Sequence, residues 1–418
     1  MTNVLLVLAD DMRADLLPYM PFVNHVLRQE GTQLTNMRCN VPLCNPARAG
    51  LLTGQYAQGA ANGCYANTSR GLPDPERDAL PVWLVDHATT GMFGKYLQGF
   101  GEAKQPGWDT WRVLSADEQE AYGYTITDGT TSVTPEEHQL AYLARATSEF
   151  IRTAPEPWFC YFAPTNPHVT TVEFTNNPLP ASITRFGWLR WPFVLLEDVT
   201  TKPSWIASRD QLRPSGLSRL RHAIRQQARE VHDLDTVIEG LHADLASTGR
   251  LDDTVIMFAS DGGVTYAEQR LGAGVPITTA TKNHPYDVCA RIPCIIRGPG
   301  FARGGVRPEP AVLQDLTATI LALFGATPTV PQDGIDLRAS SAGRATLYER
   351  RGEPGFPDGV GIVDATRKVL RWADQVGDDR YEAYDLDTDP DELVSWANDP
   401  ARRAERDRYD AQLDDLLI

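Results

Sequence analysis

The sequence predicts an α/β protein: a large, mostly parallel sheet flanked by helices, followed by a smaller C-terminal domain built on an antiparallel sheet. Continuous apolar runs, typical of strands buried on both faces, alternate with amphipathic helical patterns as far as about residue 340. This alternation is typical of a parallel sheet. Beyond that point the runs are shorter and alternate apolar with polar residues. We therefore expect a large α/β domain over residues 1–340, of a size that can hold an active site, and a small domain over residues 341–418.

Five apolar segments are predicted strands of the large sheet. They are VLLVLADD (4–11), TTGMFGK (89–95), WFCYFAPTNPH (158–168), DTVIMFASDGG (253–263) and RIPCIIRGPG (291–300). In the small domain, the predicted antiparallel strands are RATLYER, GVGIVDA, RKVLRWAD and RYEAYDL. Gly and Asp turns separate these four segments, and a polar helix is expected from about residue 400.

Helical patterns lie between the predicted strands, at 134–152, about 209–248 and about 311–324. The first opens with Thr134 as N-cap, Pro135 at the first helical position and Glu137 completing a capping box. Its apolar positions recur at helical spacing and predict one buried face, formed by Leu140, Leu143, Thr147, Phe150 and Ile151.

Composition excludes several classes of function. A net charge of −16 repels nucleic acid and anionic membranes, and no uncharged stretch reaches membrane-spanning length. Six cysteines in 418 residues are too few for a disulfide scaffold, so we expect buried free thiols. The opening MTNVLLVLADD lacks the basic start and the length of a signal peptide, which predicts a cytoplasmic protein. The oligomeric state stays open.

Polar side chains follow four of the predicted strands: Asp10 and Asp11, Lys95, His168, and Asp261. Ligands of open α/β sheets bind beyond the carboxyl ends of the strands, so these side chains are expected at one edge. Three carboxylates in one place require a cation, and hard oxygen ligands favour calcium or magnesium. The lysine and histidine suit an anionic substrate.

The segment VPLCNPARAGLLTG (41–54) carries the spacing Cys44-x-Pro46-x-Arg48. Pro46 suits the first position of a helix with Asn45 as its N-cap, which places Cys44 just outside the helix N-terminus. Backbone N–H groups there favour an anion, and Arg48 can hold an anionic oxygen in bidentate fashion. The spacing alone leaves two interpretations open: a buried structural cysteine, or a reactive group aimed at an anion.

This segment resembles the signature of the sulfatase family, Cys-x-Pro-x-Arg followed by Thr-Gly. Further segments are similar to family motifs in the same order: NVLLVLADDMRADLL, GMFGKYL, FAPTNPH, MFASDGG, KNHPYDVCARIPCIIRGPG and YDLDTDPDE. Among the branches of the family, the sequence looks most like the N-acetylglucosamine-6-sulfatases. The resemblance implies the fold of the alkaline-phosphatase superfamily.

The resemblance also implies a mechanism. A formylglycine-generating enzyme oxidises the motif cysteine to an aldehyde; one hydroxyl of its hydrate attacks the sulfur of a small-molecule or sugar sulfate ester, and the other later expels sulfate. The implied ligands of a divalent metal, calcium with magnesium as the alternative, are Asp10, Asp11, Asp261 and the modified Cys44. The implied supports of the formylglycine are Arg48 and Lys95, and the implied sulfate contacts are His168 and Lys282.

The chain departs from the family pattern at Gly262, where most relatives carry Asn or His, and in TGQYAQGAANG, which lacks the usual histidines. Two alternatives follow. The same fold could act on phosphonate or phosphate esters or transfer the sulfuryl group, or the chain could be a catalytically impaired binding protein. The segment FGWLRWPF, with Trp188, Trp191 and Phe193, is either a substrate-facing loop or a hydrophobic cluster.

Overall fold

The computed structural model describes residues 2–59, 62–65, 78–100, 103–115, 120–168, 198–210, 214–271, 281–351 and 356–417, with backbone only for 214–222. Trp188, Trp191 and Phe193 lie outside the described residues, so neither interpretation of that segment is tested. Throughout the described ranges, all six cysteines are buried and free. No helix in these ranges is both long enough and apolar enough to cross a membrane.

A ten-stranded mixed sheet forms the centre of the molecule, in the order β11-β2-β10-β9-β1-β8-β4-β5-β6-β7. Its strands are β1 (Asn3–Ala9), β2 (Gly31–Leu34), β4 (Thr89–Gly94), β5 (Thr110–Leu114), β6 (Ile126–Thr127), β7 (Ser132–Val133), β8 (Trp158–Ala163), β9 (Thr254–Ser260), β10 (Cys294–Arg297) and β11 (Gly305–Arg307). A small two-stranded sheet pairs β3 (Met37–Arg38) with β12 (Ala311–Val312). The prediction of a large, mostly parallel sheet is confirmed, although β10 runs antiparallel to both of its neighbours.

The strands that precede the predicted site residues are parallel to one another. β9, β1, β8, β4 and β5 are consecutive neighbours and all pair in parallel. β1, β8 and β9 are buried at every position, which explains why each reads as a continuous apolar run. The carboxyl ends of β9, β1, β8 and β4 therefore meet at one edge.

Helices cover both faces of this sheet. The longer helices of the chain are α1 (Cys44–Thr53), α2 (Gln139–Thr153), α3 (Pro214–Ser247), α4 (Leu313–Phe324) and α5 (Arg403–Leu416), of which the first four pack on this sheet. Shorter helical segments are Ala14–Tyr19, Phe22–Leu27, Arg28–Glu30, Leu80–Trp83, Ser204–Ala207, Leu251–Asp253, Glu268–Arg270, Asp287–Ala290, Gly377–Asp379 and Pro400–Arg402. One apolar cluster joins α1 and α4 to the sheet, and a second joins α2 and α3 to the opposite face.

The predicted start of α2 is wrong. Thr134 follows β7, and the helix begins at Gln139 with His138 as the N-cap, whose side chain accepts from the N–H of Leu140. Glu137 does not close a capping box; its carboxylate lies 2.5 Å from Arg145. The predicted apolar face is confirmed, because its five members are all buried.

The C-terminal residues form a separate antiparallel sheet of β13 (Thr346–Arg350), β14 (Gly359–Val363), β15 (Arg367–Trp372) and β16 (Tyr381–Asp385), paired in sequence order. Tyr409 and Leu413 of α5 pack on one face of this sheet. The opposite face packs against Ile206, Leu271 and Tyr286 of the α/β part. The predicted small antiparallel sheet with a terminal helix is therefore confirmed.

Candidate active site

The ends of β1 and β9 place the three carboxylates. Asp261 follows β9, and its backbone N–H donates to the carbonyl of Ala9 at 3.1 Å. Asp11 adopts a left-handed backbone conformation with φ 63°, which directs its N–H to the Asp261 carboxylate at 2.9 Å. Asp10 is anchored by its N–H to the carbonyl of Asn166 at 3.1 Å. Asp10, Asp11 and Asp261 are all buried.

Cys44 is the first residue of α1 and not a residue outside it. Leu43 is the N-cap, and Asn45, predicted as the N-cap, lies inside the helix. The side-chain carbonyl of Asn45 accepts instead from the N–H of Gln98 at 2.8 Å, so it is not available as a cap. The Cys44 Sγ lies 3.4 Å from Asp10 Oδ1 and 3.8 Å from Asp11 Oδ1. The thiol therefore faces the carboxylates and not an apolar interior.

Arg48 lies one turn further along α1 and binds two of the strand ends. Its Nε and one terminal nitrogen lie 2.9 and 2.8 Å from Asp261 Oδ2. Its other terminal nitrogen donates to the carbonyl of Lys95 at 2.7 Å. The Lys95 Nζ in turn lies 2.6 Å from Asp10 Oδ2. α1 then ends at Gly54, whose φ of 67° is the left-handed cap that the Thr-Gly pair provides.

His168 and Lys282 lie on the other side of the cysteine. The Nζ of Lys282 is 3.5 Å from Cys44 Sγ and 2.7 Å from His168 Nε2, and it contacts the Asp11 carboxylate. His168 Nε2 lies 3.1 Å from the same Asp11 oxygen. The structure thus brings Cys44, Arg48, Lys95, His168, Lys282, Asp10, Asp11 and Asp261 into one connected group.

Burial and charge set the protonation of this group. Burial raises the pKa of Asp11 to about 7, although Lys282 opposes the rise. Burial acts in the same sense on Asp10, but the surrounding basic side chains, Lys95 foremost, together outweigh it and hold the pKa of Asp10 below its usual range. Burial, assisted by Lys282, lowers the pKa of His168 well below 6.5, so the imidazole is neutral. Burial and the Asp10 carboxylate raise the pKa of the Cys44 thiol, which is therefore protonated at neutral pH.

A set of metal-ligating atoms lies at the centre of the group. Asp10, Asp11, Cys44 and His168 each offer an atom within 4.8 Å of the others, and all four residues are buried. Asp261 lies outside this set; one of its oxygens accepts from the Asp11 N–H and the other from Arg48, and each oxygen keeps a further lone pair. Buried carboxylates in such a set fit a hard divalent cation. Gly262 adds no side-chain ligand.

Three residues that the sequence analysis did not identify, Gln227, Tyr266 and Glu230, support the site through buried hydrogen bonds. Gln227 of α3 donates from its side-chain amide to the carbonyls of Asp11 at 3.1 Å and Pro167 at 3.3 Å. Its amide oxygen accepts from the Tyr266 hydroxyl at 2.5 Å. Glu230, one turn further along α3, accepts from the side-chain amide of Asn166. In the sequence Gln227 and Glu230 are ordinary polar positions of a long helix, Tyr266 lies in the segment after β9, and no pattern marks any of them.

Comparison of the sequence with known proteins identifies a family and several relatives. A family model described as Sulfatase matches residues 2–326. The chain is 26% identical to an arylsulfatase of Volvox carteri, over 96% of this chain and 71% of that protein. It is 24% identical to human N-acetylglucosamine-6-sulfatase, over 83% of this chain and 66% of that protein. An extracellular sulfatase homolog of Drosophila melanogaster is 24% identical over 90% of this chain, which spans only 34% of that protein.

Solved structures share the fold. One is a protein in complex with its substrate D-glucosamine-2-N,6-O-disulfate, with a TM-score of 0.79, 19% identity, and coverage of 99% of this chain and 97% of that chain. Another is the phosphonate monoester hydrolase of Agrobacterium radiobacter, with a TM-score of 0.73, 21% identity, and coverage of 100% and 95%. At these identities the likeness concerns the fold.

The group of residues around Cys44, together with the matched family model, identifies the chain as a sulfuric ester hydrolase. The chain belongs to the sulfatase family. Its resemblance to N-acetylglucosamine-6-sulfatases is confirmed by the human relative.

Proposed function

We propose that the chain hydrolyses the sulfate monoester of a small molecule or sugar at residue 44, after a formylglycine-generating enzyme has converted Cys44 to formylglycine. The observation that carries this proposal is the placement of the cysteine between two sets of charges. Its Sγ lies 3.4 Å from Asp10 and 3.5 Å from the Lys282 Nζ. A hydrated aldehyde at this position would be the nucleophile, and the neighbouring groups would bind the ester.

The net charge of the site favours an anionic ester once a metal is bound. Three carboxylates, Asp10, Asp11 and Asp261, face three basic side chains, Arg48, Lys95 and Lys282, so the formal charges cancel. A divalent cation then leaves about two positive charges beside residue 44, which attract a sulfate ester. We assign the cation as calcium, with magnesium as the alternative, held by Asp10, Asp11, Asp261 and the modified residue 44. When bound, it stabilises negative charge on the sulfuryl oxygens.

The protein side chains have separable tasks. Arg48 fixes Asp261 and the backbone of Lys95, so both the metal ligand and the lysine are positioned by α1. Burial opposes the charge of Lys282, but the acidic groups around it, Asp11 foremost, together outweigh burial and hold the pKa of Lys282 above its usual value. This lysine is therefore a cation that can hydrogen-bond to the sulfuryl group. The cationic Lys282 can supply the proton that the departing alcohol takes up, and His168, neutral and 2.7 Å from the Lys282 Nζ, is placed to orient that ammonium group.

The substrate class that the comparisons support is a sugar sulfate. The human relative is named for a sulfated amino sugar, and the structure of highest TM-score among those described above holds a sulfated glucosamine. A phosphonate monoester is the second candidate, because a phosphonate monoester hydrolase has the same fold. The non-catalytic alternative predicts an unmodified thiol at Cys44 and no metal.

The test compares 4-nitrophenyl sulfate with an aryl phosphonate monoester at matched concentrations. We expect a higher kcat/KM for the sulfate ester, and loss of both activities in Cys44→Ala. A higher kcat/KM for the phosphonate would reassign the substrate class. Turnover that survives Cys44→Ala would refute the assignment of residue 44.

A further inference from the structure

The segment that carries Lys282 is bound by the C-terminal sheet. Asn283, the next residue, is buried, and its carbonyl accepts from the Tyr348 hydroxyl at 3.2 Å and from the Arg350 Nε at 3.1 Å. Tyr348 and Arg350 are alternate residues of β13, so their side chains lie on the same face of the strand. Two side chains of the C-terminal sheet therefore fix the main chain directly beside the lysine.

The main chain of Asn283 also joins this segment to the residues before Cys44, because its N–H donates to the carbonyl of Pro42 at 3.0 Å. Asn283 has a φ of 59°, in the left-handed region that residues other than glycine seldom adopt. Such a conformation persists only where the surrounding structure holds it. Among the described residues the side-chain amide of Asn283 has no hydrogen-bond partner, so the main-chain bonds to Pro42, Tyr348 and Arg350 hold this conformation.

A buried ion network fixes the other end of the segment. The Nζ of Lys368, on β15, donates to the carbonyl of Pro285 at 2.7 Å and lies 2.6 Å from the carboxylates of both Asp287 and Glu392. Arg38 binds the two oxygens of Asp287 at 3.0 and 2.8 Å. Because this end is fixed, loss of the bonds to the Asn283 carbonyl frees the end of the segment that carries Lys282.

The ammonium group of Lys282 has to be placed accurately, since its Nζ lies 3.5 Å from Cys44 Sγ and 2.7 Å from His168 Nε2. A lysine side chain is a flexible four-carbon stem, so its end is placed only as accurately as its main chain. A displacement of about 1 Å at such a group is enough to lower a rate roughly hundredfold. Contacts that hold the Asn283 main chain therefore bear on the reaction.

We propose that Tyr348 and Arg350 are positioning residues of the active site. Through the Asn283 carbonyl they place the Lys282 ammonium group where it gives its proton to the oxygen of the departing alcohol as the bond from that oxygen to sulfur breaks. The inference rests on the proposed hydrolysis of sulfate esters. It extends the active site to the C-terminal sheet, which thereby takes part in catalysis as well as packing on the α/β part.

The test varies the leaving group, because a misplaced proton donor slows the release of a basic alcohol more than that of an acidic one. The chain is made together with a formylglycine-generating enzyme, and kcat/KM is measured for 4-nitrophenyl sulfate and for phenyl sulfate, whose departing phenol is the less acidic. In Tyr348→Phe we expect kcat/KM to fall roughly tenfold for phenyl sulfate and less than about threefold for 4-nitrophenyl sulfate. Arg350→Lys keeps the charge but loses the guanidinium Nε, and should shift the ratio of the two values in the same direction.

Tyr409→Phe is the matched control. Tyr409 packs on the opposite face of the C-terminal sheet, and its hydroxyl lies 2.5 Å from Asp364, so this variant also loses one hydrogen-bonded hydroxyl. It should leave the ratio of the two kcat/KM values unchanged. An equal fall for both esters in Tyr348→Phe, no fall at all, or the same shift of the ratio in Tyr409→Phe would overturn the positioning role.

In each of those cases the unaltered chain still cleaves both esters, and its proposed function stands. An unaltered chain that cleaves neither ester would instead contradict the proposed function, and the positioning role with it.

Discussion

Gln227 holds the site through three hydrogen bonds, and Gln227→Leu removes all of them while keeping a side chain of similar size. The carbonyls of Asp11 and Pro167 and the hydroxyl of Tyr266 then lose a partner in a fully buried position. Each unsatisfied buried group costs about 1–3 kcal/mol, partly offset by the added apolar contact, so we expect a loss of about 3 kcal/mol in the free energy of unfolding.

The same change should alter the chemistry, because Gln227 ties the backbone of Asp11 to that of the residue before His168. We expect kcat on 4-nitrophenyl sulfate to fall roughly tenfold to hundredfold with a small change in KM, since a shift of about 1 Å at reacting groups has effects of this size. Urea unfolding measures stability, and steady-state kinetics at a temperature where the variant is folded measure kcat and KM.

Gln314→Leu is the matched control. Gln314 is also buried, and its side chain donates to the carbonyl of Gln55 at 3.2 Å, away from the carboxylates. We expect a loss of about 1 kcal/mol in stability and an unchanged kcat. An unchanged kcat in Gln227→Leu, or an equal fall in both variants, would refute the assignment of Gln227 as a positioning residue.

Three further predictions follow from the same contacts. Arg48→Ala leaves Asp261 buried without its guanidinium partner and should lower the free energy of unfolding by about 3–5 kcal/mol in urea; a loss below about 1 kcal/mol would contradict the pairing. Burial, reinforced by Asp233, raises the pKa of Glu230 from 4.5 to about 8. The protonated carboxyl group therefore stabilises the folded chain fully below pH 4.5, and this stabilisation is lost as the pH rises through about 8. In Glu230→Gln the fall in the free energy of unfolding over this pH range should be smaller by about 2–3 kcal/mol. The same pH dependence of unfolding in this variant and in the unaltered chain would contradict the assignment. Chelation should lower Tm and abolish sulfate release, with calcium restoring both; a Tm unaffected by chelator and calcium would exclude a resident metal at the three carboxylates.

The fold could be predicted well from the sequence, because strands buried on both faces read as unbroken apolar runs. β1, β8 and β9 were located in this way, and their polar successors, Asp10 and Asp261 among them, could be assigned to one edge. Helix starts were less accurate, since tertiary contacts decided them: the Asn45 carbonyl binds the Gln98 N–H, and α1 begins at Cys44 instead. The boundary at 340/341 and the cytoplasmic location stay predictions.

The supports of the site could not be predicted, because they come from residues without a local signal. Gln227 and Tyr266 are distant in sequence and meet only when α3 packs against the sheet. The pairing of Asp261 with Arg48 likewise depends on the orientation of the Arg48 side chain, which no sequence spacing reveals. The sequence contains the reacting groups, and the fold decides their pairing.

The most direct measurement of the central claim is peptide mass spectrometry of the segment around residue 44, from protein made together with a formylglycine-generating enzyme. The account predicts the mass of the aldehyde at residue 44, and loss of both that mass and sulfate release in Cys44→Ala. A protein that releases sulfate at full rate while residue 44 retains the mass of cysteine would contradict it.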